Sequence, residues 1–291
     1  MGLKEKKRHL LGILEAYDAL AVAFSGGVDS TFLLAVAKKV LGEKVLAITA
    51  TSAIHSRTES LAAAEIAMTL GVTHRVVASR EMELPEFVAN PASRCYVCKR
   101  HVMAEVVRIA AEMGIAHVAH GVNVDDLGDF RPGLKAAEEM GLQAPLVEAG
   151  LTKADIRTLS RRMGLTTWNK PSMACLASRI PYGTVITPEN LRMVEEAEDF
   201  LRGLGFAGCR VRHHGAVARI EFTQRDFKKA LAAPARAAIV RRLREVGFRY
   251  VAADLEGYVM GSLNRALKDK GPRVQGVEVK RTKPAKGTLT T

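Results

Sequence analysis

Several groups of residues carry side chains whose types and spacing suit chemistry. The first is Ser25-Gly26-Gly27-Val28-Asp29-Ser30, which follows the short apolar run from Leu20 to Phe24 and leads into a second apolar segment, Thr31 to Ala37. This order reads as strand, glycine turn, helix. Two adjacent glycines let backbone approach a ligand closely, and the unpaired N–H groups at a helix start attract phosphate. Ser25 and Ser30 add hydroxyls, and Asp29 adds a carboxylate suited to a magnesium ion beside phosphates. A Walker A loop needs lysine just before its terminal Ser or Thr; Asp29 stands there instead. The plain alternative is a glycine turn joining a buried strand to a buried helix.

Cysteines form the second group. Arg94-Cys95-Tyr96-Val97-Cys98-Lys99 is a CxxC flanked by cations, which depress a thiol pKa and favour thiolate. Such a pair can bind zinc, hold an iron–sulfur cluster, cycle as a disulfide, or simply be buried. Cys175 lies in a small-residue loop between Lys170 and Arg179. A thiolate there suits attack on an activated carboxyl group, whereas a lone cysteine between Ala174 and Leu176 also suits a small core position. Cys209 opens a strand without a partner pattern and reads as structural.

Arg210 and Arg212 alternate on one face of a strand, where paired guanidinium forks suit a phosphate or carboxylates. The alternative is a solvated edge strand, with Glu221 on the next strand pairing with one of them. Asn123, Asp125 and Asp126 stand in a loop after an apolar run, either capping a helix or, with Asp129, Arg131 and Gly133, shaping the pocket of a second substrate.

The elements that must position these groups follow from apolar periodicity. Short apolar runs at 19–24, 44–51, 74–78 and 117–121 alternate with helical patterns at 30–41, 58–70, 100–113 and 152–163. That alternation predicts an α/β fold with a doubly wound parallel sheet, its ligands at the carboxyl ends of the strands. After Pro171 the texture changes. Thr187 and Pro188 open a helix whose apolar face is Leu191, Val194, Ala197 and Leu201. Strands at 209–212 and 218–222, a helix over 226–246 and a strand at 250–253 complete a smaller α+β domain. The expected division is residues 1–185, residues 186–267, and a basic, loosely docked tail over 268–291.

With 291 residues and 48% hydrophobic content, the chain can bury a sizeable core. No apolar run approaches the ~20 residues of a membrane span, and the first helix lacks a cleavage site, which predicts a cytoplasmic protein. The net charge of +12 calls for an anionic partner. Few aromatics accompany the charge, so nucleic acid is disfavoured against small anions.

Taken together, the glycine turn, the CxxC, Asn123-Val124-Asp125-Asp126 followed by Arg131-Pro132-Gly133, the Cys175 segment ending Arg179-Ile180-Pro181-Tyr182-Gly183, and Arg210-Val211-Arg212 resemble the LarE family. These are PP-loop ATP-dependent sulfur transferases of nickel-pincer cofactor synthesis. The resemblance covers the chain to about residue 265. It implies that ATP with magnesium, on Ser25, Gly26, Gly27, Asp29 and Ser30, adenylylates a carboxylate of pyridinium biscarboxylic acid mononucleotide. It makes Cys175 the thiol that displaces AMP and gives up its sulfur, leaving dehydroalanine. It also implies substrate contacts from Arg179, Arg210, Arg212, Asp125 and Asp126, and a homo-oligomer. In some members a [4Fe-4S] cluster sits on three cysteines, here Cys95, Cys98 and Cys175, so sacrifice of Cys175 and delivery through a cluster both stand. A PP-loop tRNA thiolase is the alternative enzyme.

Overall fold

In the computed structural model, residues 1–128, 132–171, 174–259 and 261–265 are described. The readings of Asp129, Arg131 and the 268–291 tail lie outside these residues. Strands β1 (Leu20–Ala23), β2 (Val45–Thr51), β3 (Thr73–Ala78) and β4 (His117–His120) form a parallel sheet in the order β3-β2-β1-β4. The chain therefore winds outward from β1 through β2 to β3, then returns to place β4 on the other side of β1. A crevice opens between β1 and β4 at that reversal, where doubly wound folds bind ligands.

Apolar runs made these strands, because a central parallel strand is covered on both faces. On one face pack α1 (Leu3–Glu15), α2 (Val28–Leu41), α3 (Arg57–Thr69) and, beyond the short α7 (Pro145–Glu148), α8 (Lys153–Arg162), around Leu10, Leu20, Val22, Phe32, Leu33 and Ile156. On the other, beyond the short α4 (Pro85–Val88), pack α5 (Arg94–Glu112) and α6 (Pro132–Glu139), around Leu46, Ile48, Met103 and Val106. The third strand departs from the expected burial. It ends the sheet, and most of its side chains are exposed.

The long helix expected from Arg100 begins six residues earlier, at Arg94. Arg94 and Val97 are buried at helical spacing, which carries the pattern back through the CxxC. Cys95 and Cys98 therefore occupy the first turns of a helix.

Beyond α9 (Pro188–Gly203), capped by the Thr187 hydroxyl as expected, lie β5 (Arg210–His214), β6 (Val217–Glu221) and β7 (Tyr250–Ala253), a three-stranded sheet with β6 central. The single helix expected over 226–246 is two, α10 (Gln224–Leu231) and α11 (Ala233–Val246). Between them Ala232 is extended, because the Pro234 ring would clash with the carbonyl four residues back in a continuous helix. Phe206, Phe222, Leu201 and Leu243 fill the core of this part. A further cluster, including Ile54, Phe87, Val97, Leu176, Ile180, Ile186, Leu191 and Val194, unites residues on both sides of the 185/186 division. Among the described residues no helix is long and apolar enough to cross a membrane.

Candidate active site

The turn from Ser25 to Ser30 caps the carboxyl end of β1, and Gly27 stands at the N-cap of α2. Gly26 holds φ +66°, and a Cβ there would lie 3.0 Å from that of Ala63. At Gly121, after β4, a Cβ would come within 2.7 Å of the Ser30 backbone nitrogen. The two loops thus meet backbone against backbone, which no side chain allows. Ser25 Oγ and Ser30 Oγ are 3.2 Å apart, and Ser30 Oγ also donates to Gly27 O at 3.3 Å. These long bonds leave both hydroxyls readily recruited by a better acceptor.

A cavity of about 640 Å³ opens above this turn. Asp29 reaches into it and accepts a bond from Lys153 Nζ, while Asn123 Nδ2 approaches its other oxygen at 3.4 Å. Burial raises the Asp29 carboxyl, against the pull of the Lys153 ammonium and with a further push from Asp126. Asp126 lines the cavity, whereas Asp125 accepts the Lys153 backbone N–H at 2.8 Å and so caps α8. Lys170 Nζ donates to Gly26 O at 3.0 Å. The sequence reading missed Lys153, although its place directly after the helix-capping Thr152 was visible. Only the fold sets it against Asp29.

Cys95, Cys98 and Cys175 also wall this cavity. Here the structure corrects an expectation. Flanking cations were to favour thiolates, yet burial pushes the Cys98 thiol upward, reinforced by Cys175 and Glu81, and outweighs Lys99. The Cys175 thiol is also raised, by burial first and then by Cys95, against Arg94 and Arg179. Burial also lowers the pKa of Lys99 itself. Nearby, burial and Lys99 hold His120 down at about 3. Among the described residues no three His, Cys, Asp or Glu side chains are grouped to hold a metal ion. Cys209 lies in the core of the small domain, where burial pushes its thiol up to about 12.

Arg179 is 1% exposed, and its guanidinium is engaged by protein groups. It grips Glu198 at 2.8 Å through both Nε and Nη2, and Nη1 donates to the carbonyls of Ala174 and Cys175 at 2.5 and 3.0 Å. Arg210 and Arg212 are buried on their edge strand, not solvated. Arg210 donates to Cys209 O at 2.8 Å and stacks over Tyr258 at 5.2 Å. Arg212 pairs with Glu221 at 2.6 Å and reaches Ser178 O at 2.9 Å, while its buried Nε finds no acceptor. None of these three arginines lines the cavity. Glu59 connects the two regions. It lines the cavity, and the charges of Lys170, Arg179, Arg202 and Arg210 oppose the rise that burial imposes on its carboxyl.

A family model described as asparagine synthase matches residues 14–97, which hold the first three strands and the glycine turn. The chain is 38% identical over 266 residues to the pyridinium-3,5-bisthiocarboxylic acid mononucleotide synthase of Lactiplantibacillus plantarum, covering 91% of this chain and 96% of that protein. It is 40% identical over 265 residues to an uncharacterized protein of Synechocystis, covering 99% of it. A glutamine-hydrolyzing GMP synthase of Aeropyrum pernix is 31% identical over 208 residues, 65% of this chain and 40% of that protein. At 38% identity to the bisthiocarboxylic acid synthase, over nearly the full length of both proteins, the chain belongs to the LarE family of PP-loop ATP-dependent sulfur transferases.

Proposed function

We propose that the protein uses ATP and magnesium to adenylylate a carboxylate of pyridinium biscarboxylic acid mononucleotide and then replaces the activated oxygen by sulfur. The observation that carries this reading is that Cys175 and the Ser25 to Ser30 turn wall a single cavity. The turn's N–H groups and hydroxyls receive phosphates, and Asp29, released from Lys153, holds the magnesium that ATP brings. Arg210 and Arg212, which the resemblance assigns to the substrate's phosphate or carboxylate, stand outside the cavity lining, with Arg212 paired to Glu221, so Arg212 reaches the substrate only when that pairing is exchanged. Arg179, already committed to Glu198 and to the carbonyls before it, fixes the Cys175 loop, so the substrate contact inferred from resemblance becomes an indirect one.

The resting thiol must lose its proton before it attacks. Leu176 N donates to Ile54 O at 2.8 Å, and the adjoining residues Cys175 and His55 both line the cavity, so His55 is the candidate acceptor for that proton. Sulfur then bonds to the acyl carbon and AMP departs with the electron pair. In the sacrificial route, loss of the Cys175 Cα proton forms a Cα=Cβ double bond as Cβ–S breaks, leaving dehydroalanine and a thiocarboxylate.

Delivery through a cluster rests on the resemblance and on cysteine being the donor that iron–sulfur clusters prefer; the three thiols line one cavity, but in the free protein they are not grouped to hold a metal, so a cluster would have to draw them together. A bound [4Fe-4S] cluster would supply a sulfide to the activated carboxyl and spare Cys175. The test is anaerobic turnover with ATP, magnesium and the biscarboxylate mononucleotide. Pyrophosphate, AMP and thiocarboxylate are expected. Mass spectrometry of the Cys175 peptide separates sacrifice, a cysteine lacking H₂S, from cluster delivery, an intact cysteine after several turnovers. Full activity of Cys175→Ala, or sulfur appearing on tRNA instead, would overturn the assignment.

A further inference from the structure

Arg94, the first residue of α5, is a buried cation without a carboxylate. It is 2% exposed and borders the cavity together with Cys95, Cys175 and Tyr182. Its Nη1 donates to Asn90 Oδ1 and, at 3.3 Å, to Ile180 O, and its guanidinium lies 4.5 Å over the Tyr182 ring. Asn90 is itself tied down, since its Nδ2 donates to the carbonyls of Pro181 and Thr184 at 2.8 Å, which leaves its amide oxygen to Arg94. One edge of the guanidinium is therefore fixed by the protein. The other is empty: Nε is buried without an acceptor, and Nη2 has none among the described residues.

The same molecule shows what such an edge takes when it is filled. In Arg179, equally buried, Nε and Nη2 each donate at 2.8 Å to one oxygen of Glu198, and buried Arg212 likewise has Glu221. Two parallel donors match the two oxygens of a carboxylate, and a guanidinium buried without a counter-charge is costly. Among the described residues no Asp or Glu pairs with Arg94. Cys175 does not supply the charge either, because burial keeps its thiol protonated. Fork geometry and charge balance thus call for a carboxylate brought by a ligand. Position narrows which one. The carboxyl group under attack must meet the Cys175 sulfur, and Arg94 is close enough to that sulfur for its charge to act there. A substrate with two carboxylates on one rigid ring holds the second at a fixed distance from the first.

We propose that Arg94 receives, on its Nε–Nη2 edge, the substrate carboxylate that is not being activated, and so selects a dicarboxylated ring over a monocarboxylated one. Its fixed edge holds the fork in place before the substrate arrives, so little ordering is left to the binding step. The inference rests on the reaction proposed above, but its measurement is of binding and does not need turnover.

The test is calorimetric titration of the full chain in magnesium and α,β-methylene-ATP, which fills the nucleotide site without reacting. The wild type is expected to bind pyridinium biscarboxylic acid mononucleotide at least about tenfold more tightly than the monocarboxylic acid mononucleotide, which keeps ring, ribose and phosphate but lacks one anion. Arg94→Met is expected to bind the two within about twofold of each other, at the wild type's affinity for the monocarboxylate, with affinity for the ATP analogue within about twofold of wild type. Arg94→Lys keeps the cation without the fork and should fall between; it carries the test alone where circular dichroism shows that the Met variant does not fold. The proposal is overturned if a folded variant keeps the full wild-type preference, or if affinity for both mononucleotides falls by the same factor, which would make Arg94 a support of the cysteine wall. Wild-type protein that shows the preference but forms no thiocarboxylate with ATP refutes the functional reading and leaves the carboxylate site standing. Wild-type protein that forms thiocarboxylate without preferring the dicarboxylate refutes the site alone, and binding of neither mononucleotide refutes both.

Discussion

The two walls of the cavity are built on opposite principles. The nucleotide wall is backbone-rich and polar, with hydroxyls in long bonds and two lysines on replaceable partners. The cysteine wall backs onto Ile54, Phe87, Val97 and Leu176, and there burial raises the Cys98 and Cys175 thiols above their ordinary range. The difference matches the two half-reactions proposed above. Phosphate chemistry needs charges that can be exchanged quickly, whereas sulfur held as a protonated thiol resists oxidation and stray reaction until an acyl adenylate arrives.

The contrast can be broken most severely at the sulfur itself. Cys175→Ala should cut thiocarboxylate formation by at least about a thousandfold while single-turnover pyrophosphate release stays within about threefold. Equal loss of both would mean that the walls do not divide the work. Next in size is Glu198→Ala, which strands Arg179 in the interior; both side chains are 1% exposed. A loss of about 3–5 kcal/mol is expected, read by urea unfolding. Arg179 and hydrogen bonds hold the Glu198 carboxyl below its usual range despite burial. Its contribution should therefore be complete above the unfolded carboxyl value of about 4.3 and vanish as pH falls through the lower folded one.

Gly121→Ala attacks the other wall. The added Cβ would meet Ser30 backbone at 2.7 Å, so a destabilisation of about 1–3 kcal/mol or more is expected, with a raised KM for ATP and unchanged alkylation of Cys95. The smallest effect is a sharpening one. Alkylation of Cys175 in the ligand-free, metal-free protein, followed against pH, should reach half its limiting rate above the free-cysteine value of about 8.5. A midpoint below that value would show that the cations beside the loop outweigh burial.

Much of this molecule was legible in its sequence, and the limits have physical reasons. Parallel strands announce themselves as short apolar runs, so all four were placed to within about two residues. Thr187 marked a helix start because capping is local chemistry. The start of α5 was misplaced because the CxxC looked like a loop motif, although buried Arg94 and Val97 carry the helical pattern through it. The break at Ala232 could have been read from Pro234. Lys153 was invisible as a site residue, since its significance lies in a contact across about 120 residues that only the fold brings about. The state of the cysteines was misjudged for a related reason. Neighbouring cations are visible in sequence, but burial, which outweighs them, is not.

The close approach at Gly121 and Gly26 also bears on how such an enzyme can change. Each position lies about 3 Å from a neighbouring backbone or methyl group, so neither tolerates another carbon without moving the sheet or α3. The end of the cavity that receives ATP is frozen by volume. Any drift in what the enzyme sulfurates has to be written on the far side, in the side chains around Glu59, Tyr182 and Asn264, where the wall is made of residues that can be exchanged one at a time.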